Sequence, residues 1–213
     1  MLILAFDCTM AACSVAVWRD GMTLAQAHEA MAQGQAEALT PMIAGCMAEA
    51  NVAFDALDRV AITIGPGSFT GVRVGLAAAR GFGLACKIPV VGATTGEVLA
   101  RGAAREGTVI SLVDTKRDDF YVEAFTADGA RLIAAEILAP GDVAAWIARQ
   151  GWPAPFTIVG DGAMAVAGDD RVTLSDRRLP DPAFLAAIAA TREPDAAGPL
   201  PAYVRPPAVT LPA

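Results

Sequence analysis

The sequence predicts a two-lobed α/β protein whose halves share one topology, and two observations carry that prediction. The order strand, strand, turn, strand, helix, strand is read once from residue 2 and again from Gly107. In each half the first strand ends in an aspartate, Asp7 and then Asp114. The spacing of corresponding features is loose, so it is topology that repeats, not sequence. A chain of 213 residues, 54% hydrophobic and 18% charged, suits one large domain or two small lobes. The division expected is 1–104 for an N-terminal lobe and 105–213 for a C-terminal lobe with an extended, proline-rich tail.

Residues 2–7 read as a buried strand and 13–18 as a second. Asp20-Gly21 supplies a hairpin turn, and a third strand covers about 22–30. From Gln35 to Ala50 the apolar residues Leu39, Ile43, Cys46, Met47 and Ala50 recur with helical period, and Pro41 predicts an irregular or kinked start. Arg59–Ile64 is a short buried strand that enters GPGSFTGVRVG, from which a helix continues to about Cys86. A strand at 89–91 and a helix at about 94–104 follow. The second half repeats the pattern with strands at 108–113, 120–126 and 132–138, a helix at 142–150 and a strand at 156–159. A short helix, a weak strand at 172–174 and a helix near 182–191 come next. The tail from Gly198, with Pro199, Pro201, Pro206, Pro207 and Pro212, is expected to be extended and to lie on a surface.

Composition narrows the function classes. A formal net charge of −7 disfavours independent grip on a nucleic acid backbone, which calls for a basic stripe. An acidic subunit can still serve such an enzyme if a partner supplies the positive charge. No apolar run approaches the length of a membrane span, and the short opening MLILAF lacks a basic leader, so the cytoplasm is the expected location. Cys8, Cys13, Cys46 and Cys86 have no CxxC spacing and His28 is the only histidine. They are read as reduced core thiols, with no metal site.

The richest motif is GPGSFTGVRVG. Its glycines permit a tight turn and close backbone approach, and Ser68 or Thr70 can cap the following helix. That helix start favours an anion, but the lysine of a nucleoside-triphosphate loop is missing: Val72 follows Thr70-Gly71. Behind the turn, Gly71, Gly75, Ala79 and Gly83 recur every four residues and form a ridge almost free of side chains. Interior helical glycine costs about 1 kcal/mol relative to alanine, so the ridge requires close approach by something. Two readings are open: this chain's own core, or a seam with another subunit flanked by Arg73 and Arg80. Asp7, Thr9 and Asp114 could hold a metal-bound nucleotide between the lobes, but DCTMAAC and DTKRDD lack glycines to wrap phosphates. No Ser/His/Asp set is present, and an active enzyme is the minority reading.

The stretches ILAFDCTMAACSVAVW, GPGSFTGVRVGLAAARGFGLA and IPVVGATTGEVLA, with the tail PAYVRPPAV, resemble the bacterial TsaB (YeaZ) family. The resemblance covers nearly the whole chain and is strongest over residues 2–100. It implies the two-lobed actin/Hsp70/sugar-kinase-like (ASKHA) fold with duplicated ribonuclease H-like topology. It also implies a non-catalytic accessory subunit in forming threonylcarbamoyladenosine beside the tRNA anticodon. Such a subunit pairs with and activates a TsaD-like catalytic subunit that carries the metal and nucleotide site, and a TsaE-like ATPase joins them. Alone it forms a homodimer over much the same surface, and it meets tRNA only through the complex. On this resemblance the partner-binding candidates are Gly71, Arg73, Gly75, Ala79, Gly83, Gln35 and Leu39. Many members carry a histidine near the start of the first helix, where this chain has Gln35. The chain is expected to have no cofactor of its own, a nucleotide at the joint interface being the remaining candidate, with Asp7, Thr9 and Asp114 a degenerate nucleotide site. The rival expectation is a stand-alone ATP-dependent kinase or hydrolase of the same fold using Asp7 and Asp114.

Overall fold

The structure, a computed structural model, describes residues 1–103 and 107–205. The expected boundary at 104/105, and Pro206, Pro207 and Pro212 of the tail, lie outside the described residues. Two five-stranded sheets form the frame. In the first, β1 (Leu2–Asp7), β2 (Ala12–Arg19) and β3 (Met22–Ala30) pair antiparallel, while β4 (Arg59–Thr63) and β5 (Val90–Ala93) extend it in parallel, in the order β3-β2-β1-β4-β5. The second sheet is built from β6 (Thr108–Asp114), β7 (Phe120–Phe125), β8 (Arg131–Leu138), β9 (Phe156–Val159) and β10 (Val172–Leu174). Its order, β10-β9-β6-β7-β8, is the same one read from the other edge. The duplicated topology expected from the sequence is therefore present.

Both faces of the first sheet are covered, which is why β1 reads as an unbroken apolar run. Leu2, Leu4 and Phe6 meet Leu39, Ile43 and Met47 of α1 (Gln35–Glu49) and Val72 and Leu76 of α2 (Phe69–Cys86). Ile3 and Ala5 on the opposite face meet Val98 of α3 (Thr95–Arg101) and Leu185, Ala186 and Ala189 of α5 (Pro182–Thr191). Strand alternation puts Asp7 on that second face. In the second lobe α4 (Val143–Arg149) packs Val143, Trp146 and Ile147 on Ile110, Leu112 and Ile158.

Helix α3 joins the lobes. Leu99 and Ala100 of α3 pack with Val109, Val113, Phe125 and Val159 of the second sheet. The late helix α5 returns to the first sheet, so a cut by chain order is not a cut in space. α1 spans Gln35–Glu49 as one helix with the exposed Pro41 in its second turn. Cys8, Cys13, Cys46 and Cys86 are all free thiols, the first three buried.

Candidate functional site

The glycine-rich turn is fitted to the loop after β1. Gly65 has φ +95°, and its peptide bond to Pro66 is cis. Ser68 donates its amide to the Thr9 carbonyl at 2.7 Å, and a Cβ on Gly67 would lie 2.2 Å from that same oxygen. Ser68 is the cap of α2: its hydroxyl accepts from the Gly71 amide at 3.2 Å. Thr95, opening α3, donates its amide to the Gly65 carbonyl at 2.9 Å and its hydroxyl to the Pro66 carbonyl at 2.7 Å. The turn is thus gripped from both sides by backbone and hydroxyl groups, a use of glycine for close approach.

Next to it, between the lobes, lies a cleft of about 620 Å³ with Thr9, Ser68 and Gln35 on one wall and Asp114, Lys116 and Asp161 on the other. The tail closes one side through Ala202, Tyr203, Val204 and Arg205. Of the expected nucleotide trio, Thr9 and Asp114 reach this cleft and Asp7 does not. Asp7 is 1% exposed; its Oδ1 accepts from the Thr9 hydroxyl at 2.6 Å and amide at 3.2 Å, while Oδ2 has no hydrogen-bond partner among the described residues. Burial pushes its carboxyl up to about 6, against the lowering effect of the Thr9 bonds. Asp114 is already engaged. The Lys116 ammonium lies 3.0 Å from Asp114 Oδ2 and 3.0 Å from Asp161 Oδ2, a cation held between the two carboxylates. Partial burial raises Asp114, but the Lys116 amide and ammonium outweigh it and hold the carboxyl below its usual range. Thr9 thus links the buried Asp7 to the cleft, and Asp114 faces the cleft from the other lobe paired with Lys116.

The small-residue ridge also turns inward. Gly71, Gly75, Ala79 and Gly83 are all buried against the chain's own first lobe. A Cβ would come within 1.8 Å of the Cys8 carbonyl oxygen at Gly71, 2.7 Å of Ile62 Cδ1 at Gly75, and 2.5 Å of Val90 Cγ2 at Gly83. Of the two readings of that ridge, core packing is the one observed, and the seam is not formed by these four. Leu39 likewise lies in the core, 1% exposed. Gln35 sits at the cleft rim, donating from Nε2 to the Met31 carbonyl at 3.2 Å. Arg73 is exposed but holds the tail: its Nε donates to the Tyr203 hydroxyl at 3.0 Å, and its guanidinium lies 3.8 Å over the Phe69 ring. Arg80 holds it too, donating to the Pro199 carbonyl at 2.9 Å.

Sequence reasoning overlooked the outward face of the same two helices. On α1 it presents Ala36, Thr40, Pro41, Ala44, Gly45 and Ala48, and on α2 Ala77, Gly81, Leu84 and Ala85, all exposed. Leu84 is 83% exposed. A Cβ on Gly45 or Gly81 would meet no atom within 4 Å among the described residues, so none of these requires glycine there. The signal was available as a second set of small residues, out of phase with the first.

A family model for TsaD, the tRNA N6-adenosine threonylcarbamoyltransferase, matches residues 28–155, more than half of the chain. The Escherichia coli (strain K12) tRNA threonylcarbamoyladenosine biosynthesis protein TsaB is 32% identical over 131 residues, 60% of this chain and 56% of that protein. The chain thus matches little more than half the length of that relative. A Pseudomonas aeruginosa protein described as similar to the peptidase YeaZ superposes with a TM-score of 0.82 at 29% identity, covering 96% of this chain and 99% of that one. The activator of 2-hydroxyisocaproyl-CoA dehydratase from Clostridium difficile, solved with ADPNP, superposes with a TM-score of 0.58 at 13% identity over 89% of this chain and 94% of its own, a likeness of fold alone. Fold, sequence and family model agree: the chain has an ASKHA-type fold, is similar to TsaB (YeaZ) proteins, and belongs to the TsaD family.

Proposed function

We propose that this protein is the non-catalytic accessory subunit in forming threonylcarbamoyladenosine in tRNA, and that it binds and activates a TsaD-like catalytic subunit through the outward face of α1 and α2. The supporting observation is the pair Gly45 and Gly81. Each is exposed in a helix interior, costs about 1 kcal/mol there, and has no neighbour among the described residues to require it. Small side chains let a second helix approach closely, and the surrounding alanines and Leu84 give it apolar area to cover. Lys116 between Asp114 and Asp161 supports the absence of a catalytic centre of its own.

In this reading the same face forms a homodimer when the partner is absent, and a TsaE-like ATPase joins the pair. Any nucleotide belongs at the joint surface with the partner, tRNA is met through the assembled complex, and the complex works in the cytoplasm. No helix of the described residues is long and apolar enough to cross a membrane.

Gly81→Leu should abolish the heterodimer in light scattering while leaving the melting temperature of the isolated chain unchanged or raised. Reconstituted tRNA modification should need the wild-type chain, show no activity from it alone, and fail with the leucine variant. Normal pairing by Gly81→Leu would reject this face as the partner surface, and modification that proceeds without the chain would reject the role.

A further inference from the structure

The joint between the lobes contains a buried carboxyl with no cation bonded to it among the described residues. Glu123, in the middle of β7, is 2% exposed. Both oxygens are used by the start of α3: the Thr94 hydroxyl donates to Oε1 at 3.0 Å, and the Gly96 amide donates to Oε2 at 3.1 Å. The helix is shaped to receive it, since a Cβ on Gly96 would lie 2.2 Å from Oε2. Two described cations of this region are committed to Glu97. Arg131 of β8 bonds Glu97 at 3.3 Å, and Arg192 after α5 bonds Glu97 at 2.9 Å. From α3, therefore, Glu97 faces Glu123 with its negative charge, while Arg131 opposes it from β8. From β6, the residue in register is Ser111, a neutral hydroxyl without a partner among the described residues.

A buried carboxylate in such surroundings favours its neutral form. The hydrogen bonds allow it: protonated Glu123 can donate from Oε1 to the Thr94 hydroxyl and still accept the Gly96 amide at Oε2. Neutralisation then removes a buried charge and loses no bond across the joint. We propose that Glu123 makes the lobe joint sensitive to pH, tighter when its carboxyl is neutral and looser when it is ionised. Burial, eased by the Thr94 bond, pushes this carboxyl from its ordinary 4.5 up to about 7. A raised acid binds its proton more tightly in the folded state, so the stability it contributes is full below about 4.5 and is lost as pH rises through about 7. That window spans neutral pH. The same first turn of α3 grips the cleft wall through Thr95 and the Gly65 and Pro66 carbonyls, so loosening α3 is felt where the cleft begins.

The test compares wild type with Glu123→Gln, whose amide keeps an acceptor for Gly96 and a donor for Thr94 but carries no charge. Hydrogen-exchange protection of the α3 amides, corrected for the intrinsic effect of pH, is read at pH 6 and pH 8. Wild type should lose roughly tenfold in protection at pH 8, the change expected for one group titrating at the middle of that interval. The glutamine variant should match wild type at pH 6 and hold that protection at pH 8. A variant as pH-dependent as wild type, or less protected than wild type at pH 8, would overturn the proposal. Carboxyl carbon NMR of the wild-type chain gives an answer that needs no variant. A Glu123 midpoint near 7 supports the device, and one in the ordinary carboxylate range defeats it.

Discussion

Asp7 marks how far a single residue could be read. The sequence places it at the end of a strand at the lobe joint, where it could have faced a ligand, yet Thr9 and the first turn of α3 bury it below the cleft. Its position along the strand is a local property, legible from the apolar run before it. Its surroundings include Thr95, eighty-six residues from Thr9, whose hydroxyl lies 3.2 Å from that of Thr9. The consequence is energetic. Its carboxyl stands at about 6 against an ordinary 3.8, so the folded state holds the proton more tightly, and stability from this residue declines as pH rises between those values. A carboxyl raised that far accounts for about 3 kcal/mol at most. Asp7→Asn keeps an acceptor for Thr9 and removes the charge. It should be more stable than wild type by about 1–3 kcal/mol at pH 8 and lose that advantage toward pH 4, in urea unfolding curves. A variant less stable at pH 8 would show that the ionised form is the one the fold prefers. The neighbouring Glu123 was passed over for the same nonlocal reason: nothing around VEAF announces that the amide of Gly96 meets it.

At the scale of the element, α2 explains both a success and a correction. Its existence was legible from helical periodicity and the Ser68 cap, as were most strands from their apolar runs and the turns at Gly21 and Gly129. Which face of α2 meets the sheet was not. Small residues lie at 71, 75, 79 and 83 and again at 77, 81 and 85, so four-residue recurrence alone fits either orientation. The large residues decide it, since Val72 and Leu76 stand beside the first set in the core while Leu84 stands beside the second in solvent. Glycine on the two faces should respond to alanine with opposite sign. Gly71→Ala would force a methyl against the Cys8 carbonyl, which is backbone and cannot turn away, and should cost at least about 3 kcal/mol. Gly81→Ala adds a methyl in open space and should stabilise the isolated chain by roughly 0.5–1 kcal/mol. Equal effects at the two positions in chemical denaturation would contradict the orientation of the helix.

Among the described residues, α3 and the tail each contact both lobes, while α5 packs on the first sheet and on α3. The sequence predicted the tail to be extended and on a surface, and proline content alone could not say which surface. It runs along the first lobe, where the Ala202 amide donates to the Ile64 carbonyl at 2.9 Å and Arg73 and Arg80 hold Tyr203 and Pro199. It then reaches the second lobe through the ion pair of Arg205 with Asp119. These contacts differ in kind. The Arg205–Asp119 pair is partly exposed and should contribute under about 1 kcal/mol, weakening with salt. The remainder is backbone pairing, a Phe69–Tyr203 ring contact and burial of Pro199 on Gly92, which salt does not weaken. Arg205→Ala should therefore change the melting temperature little and remove part of its salt dependence. A chain ending at Gly198 should melt roughly 5–10 °C lower, as expected for a loss of 2–3 kcal/mol in a chain of this size. Its hydrogen exchange should rise at Ile64 through Gly67 and in the first turn of α2, while α4 and the second sheet's core keep their protection. Unchanged exchange around Ile64 in the shortened chain would mean that the tail rests on the cleft wall without supporting it.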